Sequence, residues 1–365
     1  MNRLDFDPAL RAAMTDPPIA TSDLPGMGGA VRQRPEDFVV DEIPAYEADG
    51  REERHLLVRI EKRGLPSHEA VALLCEHTGV DRGEAGMAGR KDADAVTRQW
   101  ISLPWAARES ISTLRDPRVR VLDVHPHGQK LRTGHLKANR FSVVVRDLEV
   151  DAAPERCHAK LDRLRAGGGL ENLYGPQRFG LDGTNLERGF GAIAAPRLDR
   201  RFTFVASAAQ SGVFNLYVFR RREGGGLRRV LPGDVLRKTE SGGMFTTEDP
   251  GGDQQRLDAG DLQLTGPMPG AKTRRPPEGT PSAAFEDAIL AEVGLDYADL
   301  ERHGKRLPGS RRSCTVPIDQ LGLEISEEPA VAELREGIRL EFTLPAGSFA
   351  TQLLRELQNG PEDIV

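Results

Sequence analysis

Apolar and charged positions alternate over His55–Glu61, the pattern of a half-buried strand, and the residues after it change period. Ser67–His77 sets Val71, Leu74 and Cys75 on one face of a helix, and Gly79 closes it. Pro35 marks a turn, after which Phe38-Val39-Val40 begins a strand. Further strands are predicted over Gln99–Leu103, Arg118–Val124 and Arg140–Arg146, the last two with valine at alternate positions. If the strand at Gln99 starts a little earlier, Thr97 and Gln99 share one face and Val96, Arg98 and Trp100 the other, lining a cleft with short polar groups. Ala153–Arg165 reads as a helix closed by Gly167-Gly168-Gly169, a hinge or domain boundary. Phe202–Ala206 reads as a strand, and Ser207-Ala208-Ala209-Gln210 has the spacing of a capping box for a helix to Arg222 with Val213, Phe214, Tyr217 and Val218 as its apolar face. Pro232-Gly233-Asp234 and Gly242-Gly243 punctuate short strands, and Ser282–Val293 is a helix stopped by Gly294. Near the end, Ile338, Leu340, Phe342 and Leu344 alternate as a strand, leading to a helix over Phe349–Leu357. Residues 1–30, with Pro17-Pro18 and a glycine-rich end, read as an arm rather than a core element.

A chain of 365 residues, 38% hydrophobic and 29% charged, is long enough for two cores and has the composition of a soluble protein. It shows no apolar run near the ~20 residues of a membrane span and no apolar leader, so the expectation is a cytoplasmic protein without a membrane partner. Cys75, Cys157 and Cys314 are scattered, and neither Cys75 with His77 nor Cys157 with His158 has metal-ligand spacing, so they read as core residues. Gly26-Met27-Gly28-Gly29 lacks the strand and third glycine of a dinucleotide fold. Net charge is -6, which alone does not suggest nucleic acid, but its distribution does. Pro126–Arg140 carries four Lys or Arg, two His and no acid, and Arg220-Arg221-Arg222 precedes Arg228-Arg229. Such runs either neutralise phosphates or are simply solvated faces.

The chain places a carboxylate most pointedly in Gly86–Leu103, GMAGRKDADAVTRQWISL. Asp92 follows Gly89-Arg90-Lys91, so a tight turn at the glycine would present Lys91 and Asp92 together. On residue types alone, a surface turn with a paired Lys and Asp is the plainer reading. A hydrolase pairing Asp92 with Asp94 is weaker, since residues two apart on a turn need not face each other.

Ala88–Gln99 fits A-G-x-K-D-x-x-A-x-T-x-Q and resembles the signature of the TruD family, the tRNA pseudouridine synthases D. Other blocks that resemble the family follow in order. They are P-E-D-F-V-V-x-E from Pro35, L-K-x-N-x-F from Leu136, N-L-Y-G-P-Q-R-F-G from Asn172, S-A-x-x-S-x-x-F-N from Ser207, a T-G-P-M-P-G turn from Thr265 and L-P-A-G-S-F-A-T from Leu344. The chain departs from the family at Leu65-Pro66-Ser67, where Thr is usual, and in the order of Leu173-Tyr174. The resemblance implies an α+β protein: a pseudouridine-synthase-like mixed-sheet catalytic domain built from residues 1–170 and 317–365, with a TruD-type α+β domain inserted over 171–316 and RNA held in the cleft between them. It implies isomerisation of a tRNA uridine, uridine 13 in the family, to pseudouridine. Asp92 would be the catalytic carboxylate, and Arg32 and Lys91 the cations that keep it ionised and oriented. Phe38 and Phe349 would stack on the flipped base, Asn139 would meet its polar edge, and Arg178 would grip a phosphate. A single carboxylate suffices for this chemistry, so no metal or cofactor is expected, and no obligate protein partner is evident. The alternative is an RNA-binding module or RNA chaperone without catalysis, using the same basic and aromatic surface.

Overall fold

The protein is described by a computed structural model over residues 6–48, 50, 54–91 and 93–359. The candidate carboxylate Asp92 lies outside the described residues. The first elements are α1 (Pro8–Thr15), β1 (Gly28–Ala30), β2 (Phe38–Pro44), β3 (His55–Arg63), α2 (Ser67–Thr78), β4 (Gly86–Met87), β5 (Val96–Pro104), β6 (Val119–His127), β7 (Leu136–Leu148) and α3 (Ala153–Ala166). Next come β8 (Leu170–Glu171), α4 (Thr184–Ala194), α5 (Thr203–Glu223), β9 (Val235–Lys238), β10 (Met244–Thr246), α6 (Pro250–Asp258), β11 (Leu262–Met268), α7 (Pro281–Glu292) and α8 (Tyr297–Glu301). The chain ends with β12 (Ser310–Ser313), β13 (Thr315–Val316), β14 (Glu324–Glu328), β15 (Gly337–Pro345) and α9 (Ala350–Gln358).

Contacts divide these elements into two units. One comprises the described residues up to Leu24 together with Ala159–Ile318 and Thr351–Glu356; the other comprises Pro25–His158, Asp319–Ala350 and the described residues from Leu357. This differs from a boundary at residue 170. The division falls inside α3 rather than at the three glycines after it, and the start of the chain groups with the inserted segment.

The second unit is built on a nine-stranded sheet with β14-β15-β7-β2-β5-β3-β6 in order, β1 added to β7 and β4 to β5. All pairs are antiparallel except β2 with β5, where Val40 faces Thr97. The alternation read in β3 puts Leu56, Val58 and Ile60 inward, where they join Ile101 and Leu103 of β5 under Ala70, Val71, Leu74 and Cys75 of α2. Each of these leucine, isoleucine and valine side chains contributes about 1.5–3 kcal/mol by leaving water. Gly79, at φ 73°, takes the left-handed conformation that ends α2, as expected.

In the first unit, β10-β9-β11-β12 form a four-stranded sheet and β8 pairs with β13. Its core gathers Phe190, Phe214, Tyr217, Leu264 and Leu300. Several expectations differ from the structure in this unit. Residues 1–30 are not merely an arm: Pro8 opens α1, the Asp7 carboxylate caps it by accepting from the Ala9 amide at 2.9 Å, and Ala13 and Met14 are buried. Phe202–Ala206 is not a strand. The helix expected to Arg222 is present, but it starts at Thr203, one turn earlier, and runs 21 residues with most of its circumference buried, which blurs the period at its first turn. Ser207 accordingly lies inside the helix, not at its cap. By length and composition, the stretch Arg200–Glu223 could cross a membrane, contrary to the sequence expectation, but 72% of its apolar window is buried in the protein, as in a core helix. Finally, Thr265–Met268 are not a turn but the end of β11, paired with Ser310–Ser313. Gly266 serves close approach: a Cβ there would lie 2.7 Å from the Tyr217 ring of α5.

Candidate active site

The P-E-D-F-V-V-x-E block builds one wall of the site. Pro35–Asp37 forms a short 3-10 turn that hands the chain to β2. The buried Asp37 carboxylate holds that turn, accepting from Arg146 of β7 at 2.9 and 2.8 Å and from Arg34 at 3.0 Å. Burial works to raise the Asp37 pKa, but the hydrogen bonds from Arg146 and Arg34 outweigh it and hold the carboxyl below its usual range. Phe38 then opens β2 beneath Arg32, whose guanidinium sits 4.5 Å from the ring centroid. Arg32 itself has φ 59°, a left-handed backbone that costs a non-glycine residue on the order of 1 kcal/mol.

Four residues on from Phe38, Glu42 points to the same face of β2. Its carboxylate lies 2.8 Å from the Lys91 ammonium, and both side chains are almost wholly buried, at 1% and 7% exposure. Lys91 Nζ also donates to Asn139 Oδ1 at 2.8 Å. Register explains the meeting, because Glu42 faces Asn139 across β2 and β7, and Asn139 faces Leu344 across β7 and β15. Asn139 is thus a strand residue at the centre of three adjacent strands rather than a turn residue.

The backbone at Lys91 is fixed as well. Its amide donates to Ser67 Oγ at 2.8 Å, and that hydroxyl donates to Gln99 Oε1 at 2.7 Å. Ser67 stands at the start of α2, in the Leu65-Pro66-Ser67 stretch where the resembled family has Thr, and here it ties the backbone at Lys91 to helix and sheet. Thr97 and Gln99 share a face as expected, yet both are fully buried, so they form the polar floor beneath Lys91 and do not line an open cleft. Gly89 is not in a left-handed turn; the loop through 91 is held by these hydrogen bonds instead of by a glycine bend.

The aromatic residues are placed differently from one another. Phe38 is 3% exposed and belongs to a row of rings, edge-on to Phe141 at 6.2 Å, with Phe141 stacked on Phe342 at 5.1 Å. Phe349 is 40% exposed, on the loop after β15. That loop is tied to β7 by the Ala346 amide, which donates to Lys137 O at 3.1 Å. Arg32, Phe38, Lys91, Asn139 and Phe349 therefore all belong to the nine-stranded unit. Arg178 belongs to the other, in the 3-10 turn Pro176–Phe179, where it donates to Ser211 Oγ at 3.1 Å and Ser207 Oγ at 2.7 Å. Burial lowers its pKa from the usual arginine value, and among the described residues its hydrogen bonds go to these two hydroxyls and it makes no ion pair. In the basic segment, Arg132, Lys137 and Arg140 are exposed. Among the described residues no His, Cys, Asp and Glu side chains cluster as a metal site, and the three cysteines are buried.

Sequence reasoning missed Glu42, Asp37 and Ser67. The first two lay in the P-E-D-F-V-V-x-E block, where the two acids framing Phe38 were the available signal.

The fold is that of an α+β protein seen in a crystal structure assigned to tRNA pseudouridine synthase D (TruD) from Methanosarcina mazei. That likeness has a TM-score of 0.72 at 23% identity and covers 97% of this chain and 98% of that one. The family model for tRNA pseudouridine synthase D (TruD) matches residues 17–189 and 191–357. The tRNA pseudouridine synthase D of Anaeromyxobacter dehalogenans strain 2CP-C is 40% identical over 362 residues, spanning 96% of this chain and 99% of that protein. An enzyme of that name from Thermus thermophilus is 40% identical over 348 residues, spanning 93% of this chain and 91% of that protein. The chain belongs to the TruD family, the tRNA pseudouridine synthases D, and is an isomerase of that class.

Proposed function

We propose that the protein converts a uridine of tRNA, uridine 13 by family resemblance, to pseudouridine, with Asp92 as the catalytic carboxylate. The observation that carries this reading is the three-point fixation of Lys91, whose amide and ammonium are held by Ser67, Glu42 and Asn139, directly before Asp92 in the chain. An enzyme that attacks or deprotonates one nucleoside needs its carboxylate delivered from a rigid support, because a small misplacement costs orders of magnitude in rate. In the reaction the bond from uracil N1 to ribose C1′ breaks, the base turns, and C5 bonds to C1′. C5 loses its proton and N1 gains one, so the reaction balances without oxidant or co-reactant. The Lys91 charge is matched by Glu42, so Arg32 is the cation better suited to pair with Asp92. Phe349 offers an exposed ring to replace the stacking lost when the base leaves the RNA, and Asn139 an amide for its polar edge. Arg132, Lys137 and Arg140 supply charge for phosphates.

The test is release of tritium from tRNA labelled at uridine C5, comparing wild type with Asp92→Asn. The reading requires release by the wild type, with a loss of at least a thousandfold in the variant while tRNA still binds. Binding by the wild type without release would replace it with the RNA-binding module.

A further inference from the structure

Phe204 is the second residue of α5, yet its ring is 62% exposed, whereas Phe214 and Tyr217 further along the helix are buried. Leaving such a ring in water forgoes about 1.5–3 kcal/mol of burial and keeps its surface available for stacking. Beside it stands Arg178, with the guanidinium 5.4 Å from the Phe204 centroid and 5.8 Å from that of Tyr174. The guanidinium is held in place by neutral oxygens only. Ser207 Oγ accepts from Nη2 and donates its own proton to Phe204 O at 2.6 Å; Ser211 Oγ accepts from Nε and donates to Ser207 O at 2.9 Å. Both hydroxyls thus turn lone pairs toward the arginine. Nη1 is left without a protein partner among the described residues, and no carboxylate balances the charge. Of the arginines just before the helix, Arg201 is paired with Asp199 at 3.0 Å, while Arg200 is exposed and makes no ion pair among the described residues.

The geometry points to a second nucleotide subsite, in the unit that does not hold Lys91: an unpaired base of the tRNA stacks on Phe204, and its phosphate takes Arg178 Nη1. An exposed π-face next to an immobilised, uncompensated cation is the combination by which proteins hold single-stranded nucleic acid. An acidic peptide would use the cation but has no use for the flat ring. The subsite rests on the proposed tRNA reaction for its ligand, but its test does not depend on turnover.

Phe204→Ala removes the ring from a mostly exposed position, so the thermal midpoint should stay within a degree or two of wild type. Its KM for tRNA should rise about tenfold with kcat within twofold, and Phe204→Trp should restore KM. In Phe204→Trp, saturating tRNA should quench tryptophan fluorescence beyond the change seen in wild type. An unchanged KM in Phe204→Ala, or a quench by heparin equal to that by tRNA, overturns the subsite. Should the wild type form no pseudouridine, the proposed reaction fails, and the Phe204→Trp quench alone decides the subsite: specific quenching by tRNA upholds it and no quenching overturns it.

Discussion

Lys91 Nζ lies 2.8 Å from Glu42 Oε2, an ion pair shut away from water on the residue that precedes the candidate carboxylate in the chain. A pair so buried gains little over an apolar equivalent, but removing one partner strands the other, at a cost of about 3–5 kcal/mol. Glu42→Gln retains an acceptor for the Trp100 amide, which Glu42 Oε1 now accepts at 3.2 Å, but strands the lysine charge. Urea unfolding should show a loss in that range. If the pair positions Asp92, kcat should also fall tenfold or more at a temperature where the variant is fully folded; normal kcat would reduce Glu42 to a stabilising role.

Asp37 gives a signature in acid. Its carboxyl titrates lower in the folded protein than in the unfolded chain, so its contribution is full above the unfolded value, near pH 4, and is lost as pH falls through the folded value. Asp37→Asn should therefore be less stable than wild type at neutral pH, by about 3–5 kcal/mol for a broken buried pair with Arg146. The difference should shrink below about pH 4. Thermal melts from pH 3 to 7 measure it.

Glu171 behaves in the opposite sense. Full burial, partly offset by Arg222, pushes its pKa up to about 7, so the folded state holds a proton that the unfolded chain releases near pH 4.5. Stability from this group is greatest below the unfolded value and falls as pH rises toward 7. The Glu171→Gln variant should gain on wild type as melts are taken from pH 5 to pH 8. A constant difference across that window would contradict the assignment.

Arg178 is expected to meet phosphate. Binding of tRNA should weaken steeply with salt, each neutralised phosphate adding roughly 0.7–0.9 to the log–log slope. Arg178→Ala should bind more weakly and lower that slope by about one. A slope unchanged in the variant would remove Arg178 from the RNA contacts.

Much of the second unit could be read from periodicity. The strand at His55, the helix closed by Gly79 and the strand ending at Leu344 each follow from which neighbours are apolar, a property local to a few residues. The long helix from Thr203 was legible over Ser207–Arg222, but its first turn read as a strand, because burial around most of its surface weakens the polar stripe that marks a helix. The α1 helix was hidden for another reason: eight residues are too few to establish a period beside Pro17-Pro18.

By itself, the sequence determined many of the local elements and, through blocks that fall in the family's order, the family. Only the tertiary structure decided what the site residues do to one another. Lys91 meets Asn139, 48 residues away, because β2, β5 and β7 fall in one register, and Glu42 enters the same contact from the neighbouring strand. It likewise buried Phe38 while leaving Phe349 and Phe204 open to solvent. A side chain's exposure and its ionic partner depend on which distant strands pair and pack, and no short stretch of sequence carries that information.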